Sequence, residues 1–153
     1  MLGSLLGCVD PPLEPQALAT DAMRAELVAS GVPATAAAGT VVTAELRIRN
    51  EGRSTFPADG TPAPGNKVNV GLRWLDSAGR ALPEKEWREA LPHRLRPRAT
   101  VTVPLRVEVP ATPGDYVLEI DLVQENVAWF RDAGSRNLQI PIRVDPPQRP
   151  ASS

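Results

Sequence analysis

Val101-Thr-Val-Pro-Leu-Arg-Val-Glu-Val109 alternates apolar residues with residues that are polar or proline. Successive side chains of a β-strand point to opposite faces, so this segment presents one apolar and one solvated side. The same period-2 pattern recurs on both sides of it. Upstream, Ala44, Leu46 and Ile48 alternate with Thr43, Glu45, Arg47 and Arg49, and Val68, Val70, Leu72 and Trp74 alternate with Asn69, Gly71 and Arg73. Downstream, Tyr116, Leu118, Ile120 and Leu122 alternate with Asp115, Glu119 and Asp121, and Leu138, Ile140, Ile142 and Val144 alternate with Gln139, Pro141 and Arg143. Strands that are apolar on one face only belong to antiparallel sheets, since parallel sheets are covered on both faces.

Turn chemistry separates these segments: Asn50-Glu-Gly52, Pro64-Gly-Asn66, Asp76-Ser-Ala-Gly79, Pro113-Gly-Asp115 and Asp132-Ala-Gly-Ser135. Pro104 and Pro141 cannot donate to a ladder, which places their strands at an edge or turns those positions outward. Met23 to Ala29 reads two ways. Its composition suits a helix capped by Thr20 or Asp21, yet Met23, Ala25 and Leu27 also alternate with Arg24, Glu26 and Val28. With that segment and a short piece around Trp87 to Leu91, the pattern predicts an all-β, antiparallel β-sandwich of about seven to eight strands.

The composition fits such a domain. Seventeen prolines against eleven glycines favour turns and strand edges over long helices. A net charge of −1 with interspersed signs argues against nucleic acid as a partner. Cys8 and His93 are the single cysteine and the single histidine, so neither an internal disulfide nor a cysteine-built metal site is expected. Those counts also remove most hydrolytic and zinc chemistry, and no cofactor is expected. No apolar run approaches the roughly 20 residues that span a bilayer.

Residues 1–21 read as a flexible segment, 22–145 as the sandwich and 146–153 as a disordered tail. Leu5-Leu6-Gly7-Cys8 resembles a lipobox, in which Cys8 would carry the lipid. That reading requires a basic leader upstream of Met1, and only then is a membrane a partner. Without it, the chain reads as a cytoplasmic accessory domain.

From Met23 to Val144 the chain resembles bacterial immunoglobulin-like modules, among them the C-terminal polysaccharide-binding domains of O-antigen ABC-transporter ATPases. The matching residues include Asn50-x-Gly52, Val70-x-Leu72-x-Trp74-x-Asp76-x-x-Gly79, Arg88-x-x-Leu91-Pro92 and Pro113-Gly114-x-Tyr116-x-Leu118. Asp121-Leu-Val-Gln-Glu125-x-Val127-Ala-Trp-Phe130 completes them. A looser likeness links the chain to the four-tryptophan immunoglobulin-like domain of selective-autophagy receptors. The resemblance implies an immunoglobulin-like sandwich, a strand at Met23 and carbohydrate recognition. Two positions depart from the family. Arg98 follows Pro97 where glycine is frequent, predicting a type I turn there, and Phe56 stands where tryptophan is common.

Candidate contacts follow from these strands. Trp74 shares its face with Val70 and Leu72 and reads as core. Trp129 and Phe130 precede a turn; they either stack on sugar rings or fold back to cap the sandwich, and capping is favoured because it buries more area. Asp115, Glu119 and Asp121 form a solvated acidic stripe, paired across the sheet with Arg73 and with the strand of Gln139 and Arg143 if the strand order is immunoglobulin-like. A flat solvated face gives two carboxylates neither cleft nor burial, which argues against a glycosidase. His93-Arg-Leu-Arg-Pro-Arg98 reads as a charged loop that could also meet phosphates. The expectation is a non-catalytic module that recognises a glycan through Trp129, Phe130, Arg73, Glu119, Asp121, Gln139 and Arg143. A protein-interaction or spacer domain is the alternative.

Overall fold

The computed structural model describes residues 16–60 and 65–147. Cys8, and the lipobox reading with it, lies outside them, as do residues 148–153 of the tail. The described strands are β1 (Ala25–Ser30), β2 (Thr35–Ala37), β3 (Val41–Asn50), β4 (Val68–Leu75), β5 (Ala81–Ala90), β6 (Thr100–Glu108), β7 (Gly114–Gln124), β8 (Ala128–Trp129) and β9 (Leu138–Asp145). They form two sheets, β1-β3-β6 and β2-β9-β7-β4-β5, with β8 attached to β7. This is an all-β immunoglobulin-like sandwich. Nine strands stand where seven to eight were expected, because β2 and β8 are too short to carry a period.

The apolar halves of the alternating segments meet between the sheets. Leu46, Ile48, Leu105 and Val107 from one sheet pack against Leu72, Trp74, Leu118, Ile120 and Leu122 from the other, all buried. Each such side chain contributes about 1.5–3 kcal/mol through the area it withdraws from water. Trp74 also finds an acceptor, donating its Nε1–H to the Glu108 carbonyl at 2.9 Å. Tyr116, near the start of β7, donates its hydroxyl to the Thr112 carbonyl at 2.7 Å, the corner that many immunoglobulin-like domains build there.

The ambiguous segment resolves as strand from Ala25 onward. A single 3-10 turn at Thr20–Ala22 precedes it with no side-chain cap, and Met23 is buried just before β1. After Ser30 the chain crosses to the opposite sheet, where β2 runs parallel to β9. The sandwich is therefore not purely antiparallel. The prolines sit where their missing donors do no harm: β6 is an edge strand, and β2 pairs with β9 only at Arg143–Asp145, leaving that side of Pro141 free. In the β4–β5 hairpin the Asp76 carboxylate accepts from the Ala78 and Arg80 N–H groups at 2.9 Å, and Gly79 takes φ +80°.

The turn at Arg96–Ala99 overturns one expectation. The Ala99 N–H closes on the Arg96 carbonyl at 3.0 Å, with Pro97 second and Arg98 third at φ +67°. A positive φ at the third position is a type II turn, not type I. The Arg98 N–H is held by the Asn50 carbonyl at 2.8 Å, so the tertiary bond imposes a conformation that arginine alone disfavours.

Candidate ligand-binding surface

β7 lies between β4 and β9, and the strand order sets its outward residues beside those of its neighbours. Gly71 faces Asp121, Arg73 faces Glu119, and Glu119 faces Gln139 on the other side. On β5, Arg88 faces Gly71 and Glu86 faces Arg73. An outward row of charges thus runs across the larger sheet, as the acidic stripe and its arginines required.

The row is not solvated, which corrects the expectation for two of its members. Glu119 is 2% and Asp121 1% exposed, while Asp115 remains in water. The cause is the segment after β7. Strand β8 pairs Trp129 with Val123, and a 3-10 turn at Phe130–Ala133 folds the chain back over the sheet. Asp121 anchors that turn, its Oδ2 accepting from the Arg131 N–H at 2.9 Å and its Oδ1 from the Leu122 N–H at 2.8 Å. Burial pushes its pKa up to about 6, against the pull of those two N–H groups and the Arg131 charge, with Glu119 adding to the rise.

Trp129 is the centre of the surface. A Cβ on Gly71 would stand 2.3 and 2.4 Å from its Cζ3 and Cη2, so the edge of the ring fills the notch that glycine leaves. The Arg88 and Arg131 guanidinium carbons lie 4.8 and 4.4 Å from the ring centroid, within cation–π range. Carboxylates hold both arginines in place. Arg131 Nη1 donates to Glu119 Oε1 at 2.5 Å, and Arg88 Nε donates to Glu125 Oε1 at 2.6 Å. Arg73 donates to both Glu119 oxygens at 3.2 Å, a two-pronged pair with fixed geometry. Trp129 itself stays half-buried.

Of the residues expected from sequence, Arg73, Glu119, Asp121 and Trp129 come together here. Gln139 lies at the rim, exposed beside Glu119. Arg143 lies apart at the far end of β9, exposed and paired with Asp115 at 3.4 Å and Asp145 at 3.6 Å. Phe130 leaves the candidate set: with no accessible surface it caps the core, edge-to-face on Phe56 at 5.2 Å. Phe56 is itself buried rather than displayed on a loop. Arg88 and Glu125 stood among the residues that carry the resemblance but not among the candidate contacts, and Arg131 was not singled out from sequence. The legible signal was Gly71, since a glycine inside a strand often marks a close approach.

The glycosidase argument changes its ground. Glu119 and Asp121 are buried, and Asp121 has a raised pKa, which a solvated stripe would not give. Both Asp121 oxygens, however, are engaged by backbone N–H groups, and both Glu119 oxygens by arginines. Carboxylates so occupied brace the surface around Trp129. Gly71→Ala should cost about 1–3 kcal/mol by forcing the ring out of its notch. Urea unfolding measures the loss, and a change in tryptophan emission should accompany it.

No family model matches this sequence, and no curated protein matches it significantly. Solved structures do. The C-terminal domain of wzt aligns with a TM-score of 0.50 at 12% identity, over 79% of this chain and 70% of that one. The CARDB domain of a Pyrococcus furiosus protein aligns at 0.49 and 15% identity, over 79% of this chain and 95% of that one. A β-glucosidase from Listeria innocua in complex with glucose aligns at 0.43 and 13%, over 78% of this chain and 16% of that one. The first of these shows a shared fold; the other two add nothing to it.

Proposed function

We propose that this chain is a non-catalytic recognition module that binds carbohydrate on the outer face of its larger sheet. The observation that carries the reading is Trp129, half-buried on the outer face and held edge-down over Gly71 beside two arginines. Sugar rings offer C–H faces to an aromatic and hydroxyls to charged side chains, and this surface supplies both. Arg73, Arg88 and Arg131 each already hold a carboxylate. An uncharged, hydroxyl-rich polymer suits that balance better than an anionic one, whose charge would have to displace Glu119 or Glu125. The sequence resemblance to polysaccharide-binding modules points the same way.

A protein partner along an edge strand has less support. The free edge of β5 carries Pro83, Glu84, Lys85 and Glu86, the charged and proline-bearing kind that discourages strand addition. Large exposed apolar residues among the described ones are the scattered Val28, Val41 and Val127.

The test is calorimetric titration of the chain with neutral and anionic polysaccharides. Binding of a neutral polymer, weakened about tenfold or more in Trp129→Ala while the fold persists, supports the reading. An unchanged affinity in that variant, or no polysaccharide bound, sinks it.

A further inference from the structure

The basic run His93–Arg98 plays no part in the Trp129 surface, yet it helps to build a second feature. A cleft of about 570 Å³ opens at one end of the β3–β6 pair, lined by Arg49, Glu51, Gly52, Arg53, Pro97 and Arg98. Two of its arginines have partners: Arg49 donates to Glu51 at 2.7 Å, and Arg53 to Asp21 at 2.8 Å. The third does not. The Arg98 guanidinium makes no hydrogen bond or ion pair among the described residues, although its backbone is fixed by Asn50 and Arg49. Arg96, exposed two residues before it, is equally unpaired among them.

Arg98 is also the strained residue of the type II turn, at φ +67°. Glycine would occupy that position without cost. This chain instead spends backbone strain to put an uncompensated cation at the mouth of a cleft with two more arginines. Glu51 and Asp21 offset Arg49 and Arg53, so the uncompensated charge of the cleft is that of Arg98, and guanidinium groups bind the oxygens of phosphate or sulfate in a two-pronged manner.

We propose that this cleft is a binding site for a doubly charged oxyanion of the phosphate class, with Arg98 as its principal contact and Arg49 and Arg53 as its flanks. Glu51 and Asp21 are the carboxylates such a ligand would have to displace from Arg49 and Arg53, which favours a dianion over a monoanion. The site lies away from the Trp129 surface and does not depend on the carbohydrate reading.

The test compares the full chain with Arg98→Gly, using pyrophosphate as the probe in thermal unfolding and calorimetry. Arg98→Gly removes the guanidinium and relaxes the turn, so the unliganded variant should melt about 2 °C higher. Pyrophosphate should raise the melting temperature of the native chain and bind Arg98→Gly about tenfold more weakly, as expected for one charge-assisted contact. Arg94→Ala, in the same loop outside the cleft, should bind as the native chain does. Sedimentation with phosphatidic acid vesicles identifies the source: co-sedimentation lost in Arg98→Gly assigns the anion to a lipid headgroup, and its absence assigns it to a soluble phosphate. No binding of pyrophosphate, equal binding by Arg98→Gly, or an equal loss in Arg94→Ala would overturn the proposal.

Discussion

Phe130→Ala should cost the fold about 3–5 kcal/mol, the usual loss when a fully buried aromatic is cut back to a methyl group. Its ring has no accessible surface and packs edge-to-face on Phe56. The adjacent Trp129→Ala should cost about 2 kcal/mol, because that residue is only half-buried and its ring rests on two cation–π contacts and a notch. Two neighbouring aromatics thus divide the work, one closing the core and the other facing outward. Urea unfolding at neutral pH measures both losses. Equal losses would mean that Trp129 is as much core as Phe130, and the surface would then lack its aromatic centre.

The division was half visible in the sequence. The chain places Trp129 and Phe130 side by side after a strand, and alternation requires that they point to opposite sides. Which one faces inward depends on how β8 pairs with β7, and a two-residue strand leaves no periodic trace. The inner faces were legible for a different reason. Leu46, Ile48, Leu72, Trp74, Leu118 and Ile120 are apolar at every second position over whole strands, and no alternative register buries them all.

Outer faces resist this kind of reading. A polar residue at an outward position is compatible with water and equally with a covering segment that supplies partners. Glu119 and Asp121 belong to the second case, because the turn after Trp129 brings Arg131 and a backbone N–H down onto them. Arg88 needed the β4–β5 register, which shifts between Arg73 and Leu75 and cannot be counted from the sequence. Arg98 fails in yet another way. Local propensity disfavours φ > 0 for arginine, but its N–H is committed to Asn50 and the Arg96–Ala99 bond closes around it.

Asp121 gives the second large effect, read through pH. Its carboxyl titrates near 6 in the folded chain against an ordinary value of 3.8, with burial as the main cause. Between those values the native state holds a proton that the unfolded chain has released. Stability must therefore fall as pH rises through that window, and the contribution is flat below it and above it. A difference of that size corresponds to about 3 kcal/mol. Asp121→Asn removes the titration. The stability of the native chain relative to this variant should decline by about that amount between pH 3.8 and 6, measured as urea midpoints across the range. Asp76, held low by the Arg80 and Ala78 N–H groups, and Asp21, held low by Arg53, impose the opposite slope. They are present in both proteins and cancel in the difference. Parallel curves for the two would mean that Asp121 is not desolvated in solution, and that the segment from Trp129 to Arg131 does not cover β7 as described. The acid is retained despite this cost because its two oxygens satisfy the Leu122 and Arg131 N–H groups at once. An asparagine, with one oxygen and an NH2 group, cannot replace both bonds, so the variant exchanges a charge penalty for a lost anchor beneath Trp129.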